Sequence, residues 1–520
     1  MNLTYIYGGP GTGKTHKLLE LLQKELEGGT PASRIAYVSF TRKGTYQGVD
    51  LAKDMFDLTD EDCRYFKTIH SLCFHILELT PTSLFTKMDK TKLGDALGFT
   101  EEEFDALEEQ SSIARNSLKP MEATALANVK LNPTKAKDAE EVLKAVRIKS
   151  NKYDFTAMLE EVVSTATPLD VDVVFIDEAQ DLTYLQWQVA DKLFARAKRM
   201  YMAGDVNQSL FKWAGADVDR FATTNTPNVI FLNESHRCTQ AVWRYARLAH
   251  SGIRDKIPMP EKCRENVGFA VSLQNELHYE WIPELARKGS VYCLAYSKSG
   301  VRDYAQALEV MGVPFFINNK THSVTKETKM QILCRQLRLF HEYLYDEEKY
   351  NTYFAWQETG TTVHKADKRR VRHIRETFKE ILDGMASGFV YKNINNAKPK
   401  MIAYLKRKLP TLSDAVVANL VNNEYYALNT ITVSVIHRVK GGEADFAFIK
   451  TNLPRKYTRD YTTDDSVKDE LLRTFYVGIT RAKTGVVLWH KDGAVAGNAD
   501  NYPTIGNIKD YIGEQNDKNN

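Results

Sequence analysis

Cysteine is scarce in this chain. Its six cysteines among 520 residues are scattered, none belongs to a C-x-x-C pair, and none stands beside a histidine cluster at zinc spacing. This pattern favours neither a disulfide framework nor a zinc site. Long apolar runs are missing too, because none reaches the roughly 18 residues that a membrane span needs. With no signal peptide before the first apolar stretch, we expect a cytoplasmic protein in a reducing compartment, without a membrane partner.

A large excess of charge of one sign is also missing. The formal net charge is +3, and the contents of hydrophobic residues (43%) and charged residues (26%) are those of an ordinary globular protein. Any nucleic-acid surface must therefore be a local patch or groove. At about 150 residues per domain, the length predicts roughly three or four domains. A single-domain protein is excluded.

Short apolar runs that are typical of buried strands recur along the chain, with helical patterns between them. This alternation predicts α/β domains built on parallel sheets. The predicted strands are Leu3 to Tyr7, Arg34 to Ser39, Val171 to Ile176, Arg199 to Ala203, Val229 to Leu232, Val291 to Tyr296, Ile431 to Ile436, Phe446 to Lys450 and Gly485 to His490. They fall into two clusters, which predicts two α/β domains.

Two stretches interrupt the alternation, because they are helix-rich and lack strong strand signals. We interpret them as helical insertions, one per domain. The predicted division is 1–75 and 161–260 for the first domain with insertion 76–160, then 261–329 and 426–505 for the second domain with insertion 330–425, and a polar tail at 506–520. The second insertion carries the basic run Lys365 to Arg375, which either contacts duplex nucleic acid or forms a solvated helix face.

A glycine-rich run follows the first predicted strand. It fits the phosphate-loop pattern G-x-x-x-x-G-K-[ST] with Gly8, Gly9, Pro10, Gly11, Thr12, Gly13, Lys14 and Thr15. Backbone N–H groups can curl around phosphate oxygens, Lys14 supplies a point charge to the β and γ phosphates, and Thr15 offers a hydroxyl to Mg²⁺. The alternative is a plain glycine turn, but the strand before it and the helical pattern Lys17 to Leu26 after it favour a triphosphate site.

A second apolar strand ends in two acids, Asp177 and Glu178. Phosphate-loop enzymes place one carboxylate on Mg²⁺ and another beside the attacking water in this way. We therefore assign Asp177 to the metal and Glu178 to the water. The alternative is an exposed acidic turn.

Seven further blocks stand in a fixed order along the chain. They are Val38 to Lys43 (V-S-F-T-R-K), Thr68 to Ser71, Asp154 to Leu159, Gly204 to Asp217, Leu232 to Cys238, Val435 to Asp445 and Tyr476 to Ala482. Together with the phosphate loop and the acidic strand, they resemble the UvrD/Rep family of superfamily 1 helicases. The resemblance implies two RecA-like motor domains, ATP as substrate with Mg²⁺, and 3′ to 5′ movement on single-stranded DNA coupled to unwinding. It also implies single-strand to duplex junctions as partners, together with replication or repair proteins.

The resemblance assigns nucleotide contacts within these blocks. Arg237 and Arg481 resemble the arginines that stabilise charge on the γ phosphate, and Arg481 stands on the second domain, which would link hydrolysis to motion. Gln180 and Gln208 resemble the glutamines near that phosphate. Glu443 resembles the acid that accepts from the ribose hydroxyl, although a solvated glutamate at a helix start is the alternative.

DNA contacts are implied in the same way. Three aromatic residues resemble the family's base-stacking residues: Phe40, Phe211 and Trp213. Candidate contacts to the DNA backbone are Thr41, Lys43, His70 and His437. A single aromatic is usually a core residue, but Lys212 separates Phe211 from Trp213 in a polar, glycine-flanked stretch, and this alternation suits a loop that faces a groove.

The sequence departs from the family pattern at several places. The first strand starts at Leu3, which leaves no room for the family's adenine-reading segment, and His236 stands where a tyrosine stacks on the base. Base selectivity therefore stays open. Ala214 and Ser235 replace an arginine and an asparagine of the family, and we expect a compact motor. The alternative function is a nucleotide-switched clamp on single-stranded DNA, or a recruiting factor, that unwinds nothing.

Overall fold

The computed structural model describes residues 1–39, 55–120, 152–222, 228–254, 256–274, 277–311, 313–317, 428–453 and 464–490, with isolated positions at 53, 141–150, 326–327, 399–417 and 504–511. Two compact units make up the chain. The first comprises Met1–Arg237 and Ile253–Arg264, and the second comprises Cys238–Gly252 and Glu265–Asn520. No helix in the described stretches has the length and apolar character to cross a membrane.

The first unit is built on a six-stranded parallel sheet with the order β3-β2-β4-β5-β1-β6. Its strands are β1 (Asn2–Gly8), β2 (Ile35–Ser39), β3 (Phe66–Thr68), β4 (Val173–Asp177), β5 (Arg199–Gly204) and β6 (Val229–Leu232). Every residue of β2 and β4 is buried. Strands covered on both faces bury every side chain, so they appear in the sequence as continuous apolar runs.

Helices cover both faces of this sheet. The helices of this unit are α1 (Lys14–Glu27), α2 (Ile69–Ile76), α3 (Lys87–Ala96), α4 (Glu101–Ser117), α5 (Phe155–Thr165), α6 (Tyr184–Leu193) and α7 (Val218–Ala222). Leu18 and Leu22 of α1 pack on the face that carries Ile6 of β1, whereas α5 and α6 pack on the face that carries Tyr5 and Tyr7. Alternate residues of β1 therefore contribute to two separate cores.

The second unit holds a seven-stranded sheet with the order β10-β9-β11-β8-β12-β13-β7, in which only the short β9 and β10 pair is antiparallel among the described strands. The strands are β7 (Phe269–Gln274), β8 (Val291–Ala295), β9 (Phe316–Ile317), β10 (Lys326–Glu327), β11 (Ile431–Val435), β12 (Ala444–Lys450) and β13 (Ala482–His490). Its helices are α8 (Gln240–Ser251), α9 (Trp281–Ala286), α10 (Lys298–Val310) and α11 (Asp465–Ile479). Two α/β units on parallel sheets confirm the predicted fold class.

Helix α8 belongs to the second unit, although it precedes residue 260 in the sequence. The N–H of Thr239 donates to the Lys483 carbonyl (3.0 Å), and its hydroxyl donates to the Thr484 carbonyl (3.0 Å). These contacts fix the start of α8 beside β13. The unit division thus differs from the predicted boundary at residue 260. Most of the insertion predicted at 330–425, including the basic run Lys365 to Arg375, lies outside the described residues.

Candidate nucleotide and nucleic-acid site

The phosphate loop connects β1 to α1. Gly11 and Gly13 adopt positive φ angles of 72° and 80°, which L-residues with a Cβ rarely tolerate. No side chain caps α1, so the N–H groups of its first turn are available to an anion. The Lys14 ammonium donates to the carbonyls of Gly8 (2.8 Å) and Gly9 (3.2 Å). Loop N–H groups and this ammonium therefore form the start of a phosphate site.

Thr15 and Asp177 meet at the carboxyl edge of the sheet. The Thr15 hydroxyl donates to Asp177 Oδ2 (2.7 Å), and the Tyr37 hydroxyl contacts the same oxygen (3.3 Å). Asp177 is 2% exposed; its burial and the charge of Glu178 raise the pKa of this carboxyl. A nearby cation would favour the charged form, and a hydroxyl with a carboxylate is the oxygen donor set that Mg²⁺ prefers. These residues therefore fit the predicted metal role.

No group of three or more histidine, cysteine, aspartate or glutamate residues suited to a metal ion occurs in the described part of the chain. A magnesium ion held by one hydroxyl, one carboxylate, substrate phosphates and water does not need such a group.

Glu178 begins a chain of hydrogen bonds that leads from the end of β4 to the segment after β5. The Glu178 backbone adopts the left-handed conformation (φ 55°), so its side chain leaves the backbone in a different direction from the side chains of β4. The Gln180 amide donates to Glu178 Oε2 (2.6 Å), and the Asp205 N–H donates to Gln180 Oε1 (3.0 Å). The Gln208 amide then donates to Asp205 Oδ2 (2.6 Å). The structure thus brings together three predicted site residues, Glu178, Gln180 and Gln208.

The segment after β6 covers the phosphate loop. The Ser235 hydroxyl donates to the Pro10 carbonyl (2.6 Å), and the His236 N–H donates to the Gly11 carbonyl (2.9 Å). A Cβ on Gly11 would collide with the Cβ of Arg237, so only glycine allows this approach. Arg237 and His236 therefore stand beside the loop, with the His236 side chain mostly exposed.

The block after β5 carries the aromatic pair. Phe211 packs partly buried against the core of the first unit, whereas Trp213 is 47% exposed on a short helical turn, Lys212–Ala214. Gly215 ends this turn with φ 95°. The Trp213 ring is exposed enough to stack on a base. The Phe211 ring instead packs against the core of the first unit.

His70 lies in the first turn of α2, directly after β3. Its ring meets the exposed Phe155 ring edge to face, with centroids 5.9 Å apart. Thr68 caps the helix by accepting from the Ser71 N–H (3.1 Å). The predicted DNA contacts Phe40, Thr41 and Lys43 lie outside the described residues.

Three predicted site residues belong to the second unit: His437, Glu443 and Arg481. Arg481 is 1% exposed, and its guanidinium donates to the carbonyls of Val477 (3.1 Å) and Gly442 (3.1 Å). Glu443 is exposed. His437 meets the Tyr296 ring, and burial, followed by the charge of Lys440, lowers the pKa of this histidine to about 4. His437 is therefore neutral at pH 7 and can contact a phosphate only as a neutral donor.

Two residues that the sequence did not assign to the site, Asp205 and Ser235, make hydrogen bonds that organise it. Asp205 is fully buried, and its carboxylate accepts from the Gln208 amide and from the Asn207 N–H (2.9 Å). Burial raises the pKa of Asp205. Ser235 binds the phosphate loop through its hydroxyl. Asp205 lies within the block Gly204 to Asp217, just after a predicted strand and three residues before Gln208, which is a usable signal. Nothing in the sequence indicated the partner of Ser235.

Fold and site together define a P-loop nucleoside-triphosphate-binding protein with two parallel-sheet units. Residues 2–227 match the UvrD/REP helicase N-terminal domain, and residues 318–491 match the UvrD-like helicase C-terminal domain. The chain therefore belongs to the UvrD/Rep helicase family.

Individual relatives are distant and are matched only in part. A probable DNA helicase II homolog of Mycoplasma genitalium is 25% identical over 286 residues, which are 46% of this chain and 39% of that protein. The ATP-dependent DNA helicase PcrA of Bacillus subtilis is 26% identical over 103 residues, 19% of this chain and 14% of its own length. The chain thus spans well under two thirds of these relatives.

Proposed function

We propose that this protein is an ATP-dependent DNA translocase and helicase that moves 3′ to 5′ on single-stranded DNA. The observation that carries the proposal is the continuous chain from Glu178 through Gln180 and Asp205 to Gln208, which leads into the block with the exposed Trp213. Through these hydrogen bonds, a movement of Glu178 on binding or loss of the γ phosphate can shift the segment that carries Trp213. The distant relatives, a probable DNA helicase II homolog and an ATP-dependent DNA helicase, support the same function.

In the proposed hydrolysis, Lys14 and the loop N–H groups bind the phosphates, and Glu178 orients the attacking water. Thr15 and Asp177 would hold Mg²⁺, which neutralises developing charge when bound. Arg237 stands beside the loop to stabilise the γ phosphate, and Gln180 holds the Glu178 carboxylate in place. These residues bind, orient and stabilise charge, which is most of what phosphoryl transfer requires of a protein.

Strand displacement tests the proposed activity and its direction. With ATP and Mg²⁺, we expect release of the strand from a duplex with a 3′ single-stranded tail and none from a duplex with a 5′ tail. Unwinding of the 5′-tailed duplex alone would reverse the proposed polarity. DNA-stimulated hydrolysis without unwinding of either substrate would favour the nucleotide-switched clamp.

Turnover with each of the four common triphosphates measures base selectivity.

Trp213→Ala is expected to raise the single-stranded DNA concentration that half-maximally stimulates hydrolysis by about tenfold or more. The reason is that stacking of one base on an aromatic side chain contributes about 1–3 kcal/mol. Hydrolysis without DNA should stay within about twofold of the original rate, because Trp213 makes no contact with the phosphate loop. Steady-state turnover titrated with an oligonucleotide provides the measurement.

Trp187→Phe is the matched control, since Trp187 is a buried core residue of the same unit. This change should leave the DNA concentration for half-maximal stimulation unaltered. Equal responses of the Trp213 and Trp187 variants would contradict a stacking role for Trp213.

A further inference from the structure

We propose that Asn116, in the last turn of α4, is a positioning residue that fixes the loop carrying Trp213. The loop is defined as residues 211–217 and is called the Trp213 loop. The proposal rests on the proposed function for its consequence in DNA binding. It assigns a role to a residue of the helical stretch 76–160 that lies outside the blocks named above.

The Asn116 amide joins three elements. Its Nδ2 donates to the Ser112 carbonyl within α4 (2.8 Å) and to the Thr156 hydroxyl in the first turn of α5 (3.2 Å). Its Oδ1 accepts from the Thr183 hydroxyl (3.2 Å), and Thr183 is the residue that caps α6. Donor and acceptor ends of one side chain are both used, so no apolar substitution can replace it.

Thr183 in turn binds the Trp213 loop. It forms an isolated antiparallel bridge with Ala216, beside which the Tyr184 N–H donates to the Gly215 carbonyl (3.1 Å). The Asp217 N–H donates to the Leu182 carbonyl (2.8 Å). Residues 182–184 therefore hold one side of the loop, directly after the turn that carries Glu178 and Gln180.

The end of α4 holds the other side of the loop. A Cβ on Gly215 would lie 2.7 Å from Ser117 Oγ and 3.0 Å from the Ser117 N, so backbone and helix end are in direct contact. With φ at 95°, Gly215 already excludes most other residues. The Trp213 loop is thus held between the last turn of α4 and residues 182–184, and Asn116 is the side chain that connects these two supports.

Helix α4 does not depend on Asn116 for its own attachment. Arg115 is mostly buried and donates to Glu160 Oε1 (2.7 Å) and to Asp154 Oδ2 (3.0 Å), both on α5 or its cap. Phe104 and Leu107 pack in a separate small core. An Asn116 variant should therefore keep the helix in place and lose only the connection between α4, Thr156 and Thr183.

The test compares Asn116→Ala with Glu108→Gln, a change on the same helix that weakens a partly exposed pair with Lys90. We expect Asn116→Ala to raise the DNA concentration for half-maximal stimulation about tenfold, which corresponds to ~1.4 kcal/mol. Hydrolysis without DNA should stay within about twofold, and the Glu108→Gln variant should not differ from the original protein. A parallel fall in hydrolysis without DNA would overturn the proposal.

A double variant separates positioning from a general loss of structure. If Asn116 acts through Trp213, adding Asn116→Ala to Trp213→Ala should change the DNA concentration no further, because the two effects are not independent. Multiplication of the two losses would overturn the proposal. Asn116→Asp keeps the oxygen that accepts from Thr183 and should shift the DNA concentration less than alanine; an equal shift would also count against it.

Fluorescence without DNA distinguishes this inference from the proposed function. The emission of Trp213 is obtained as the difference between the protein and its Trp213→Phe variant, with and without Asn116→Ala. We expect acrylamide quenching of this emission to rise about twofold when Asn116 is lost, since the loop opens to solvent. Unchanged quenching would overturn the positioning role, whereas increased quenching together with a Trp213→Ala variant that binds DNA normally would overturn only the DNA role of Trp213.

Discussion

Lys14→Ala is expected to lower triphosphate hydrolysis at least about a hundredfold, both with and without single-stranded DNA. Removing one preorganised donor aimed at developing charge typically costs a factor of about 10²–10³. The Lys14 ammonium lies against the Gly8 and Gly9 carbonyls, at the mouth of the loop that would receive the β and γ phosphates. Steady-state release of phosphate measures the effect.

Lys17→Ala is the matched control for this change. Lys17 is another lysine of α1, and its ammonium is paired with Glu20 (2.6 Å) instead of facing the loop. A partly exposed pair of this kind contributes little to stability, so hydrolysis should stay within about twofold. If Lys14→Ala turned over at the original rate, the glycine run would not be the phosphate site.

Glu178→Gln is expected to lower hydrolysis about 10²–10³-fold while nucleotide binding stays intact. The amide keeps the shape of the carboxylate and can still accept from Gln180, but it lacks the negative charge and the second acceptor oxygen with which the carboxylate orients the attacking water. Binding of a fluorescent nucleotide and single-turnover hydrolysis, measured on the same protein, separate the two steps. Loss of both together would instead indicate damage to the turn at Glu178.

Asp170→Asn serves as the control for the acidic strand. Asp170 precedes the amino end of β4 and pairs with Arg34 (2.8 Å) on the surface, so it changes charge by the same amount at the opposite end of the strand. We expect unaltered hydrolysis. Equal loss from Asp170→Asn and Glu178→Gln would mean that net charge, and not the orientation of water, controls the rate.

The sequence predicted the parts of the fold that local patterns determine. All nine apolar runs correspond to strands of the two sheets. Most of these strands are largely buried and leave a continuous apolar signal, whereas β6 is only partly buried. Thr15 and Asp177, which the sequence assigned separately to Mg²⁺, lie in hydrogen-bond contact (2.7 Å). In the candidate site, the sequence predicts Glu178, Gln180 and Gln208, and the structure joins these residues in one chain of hydrogen bonds through Asp205.

Features that depend on distant partners were not predictable. Strand β3 has three residues, and β7 alternates polar and apolar residues near its end, so neither gives a strong strand signal. The contacts of Asn116 reach residues 40 and 67 positions away, and no local pattern indicates them. Arg481 was expected to face a phosphate, whereas its guanidinium binds carbonyls of its own unit; its role in hydrolysis stays a prediction.

The division of the chain between the two units has a practical consequence for dissecting the protein. A fragment that ends at Arg237 lacks Ile253–Arg264 and with it the backbone partners that Asn207 holds at Ile257 (3.0 Å). A fragment that ends at Arg264 includes those partners but carries α8 without β7 and β13, which exposes the apolar side chains of Val242, Trp243 and Tyr245 to water. Neither fragment keeps all of these contacts, so the nucleotide chemistry of the first unit is best studied in the 520-residue chain or in a fusion that replaces Cys238–Gly252 by a short linker.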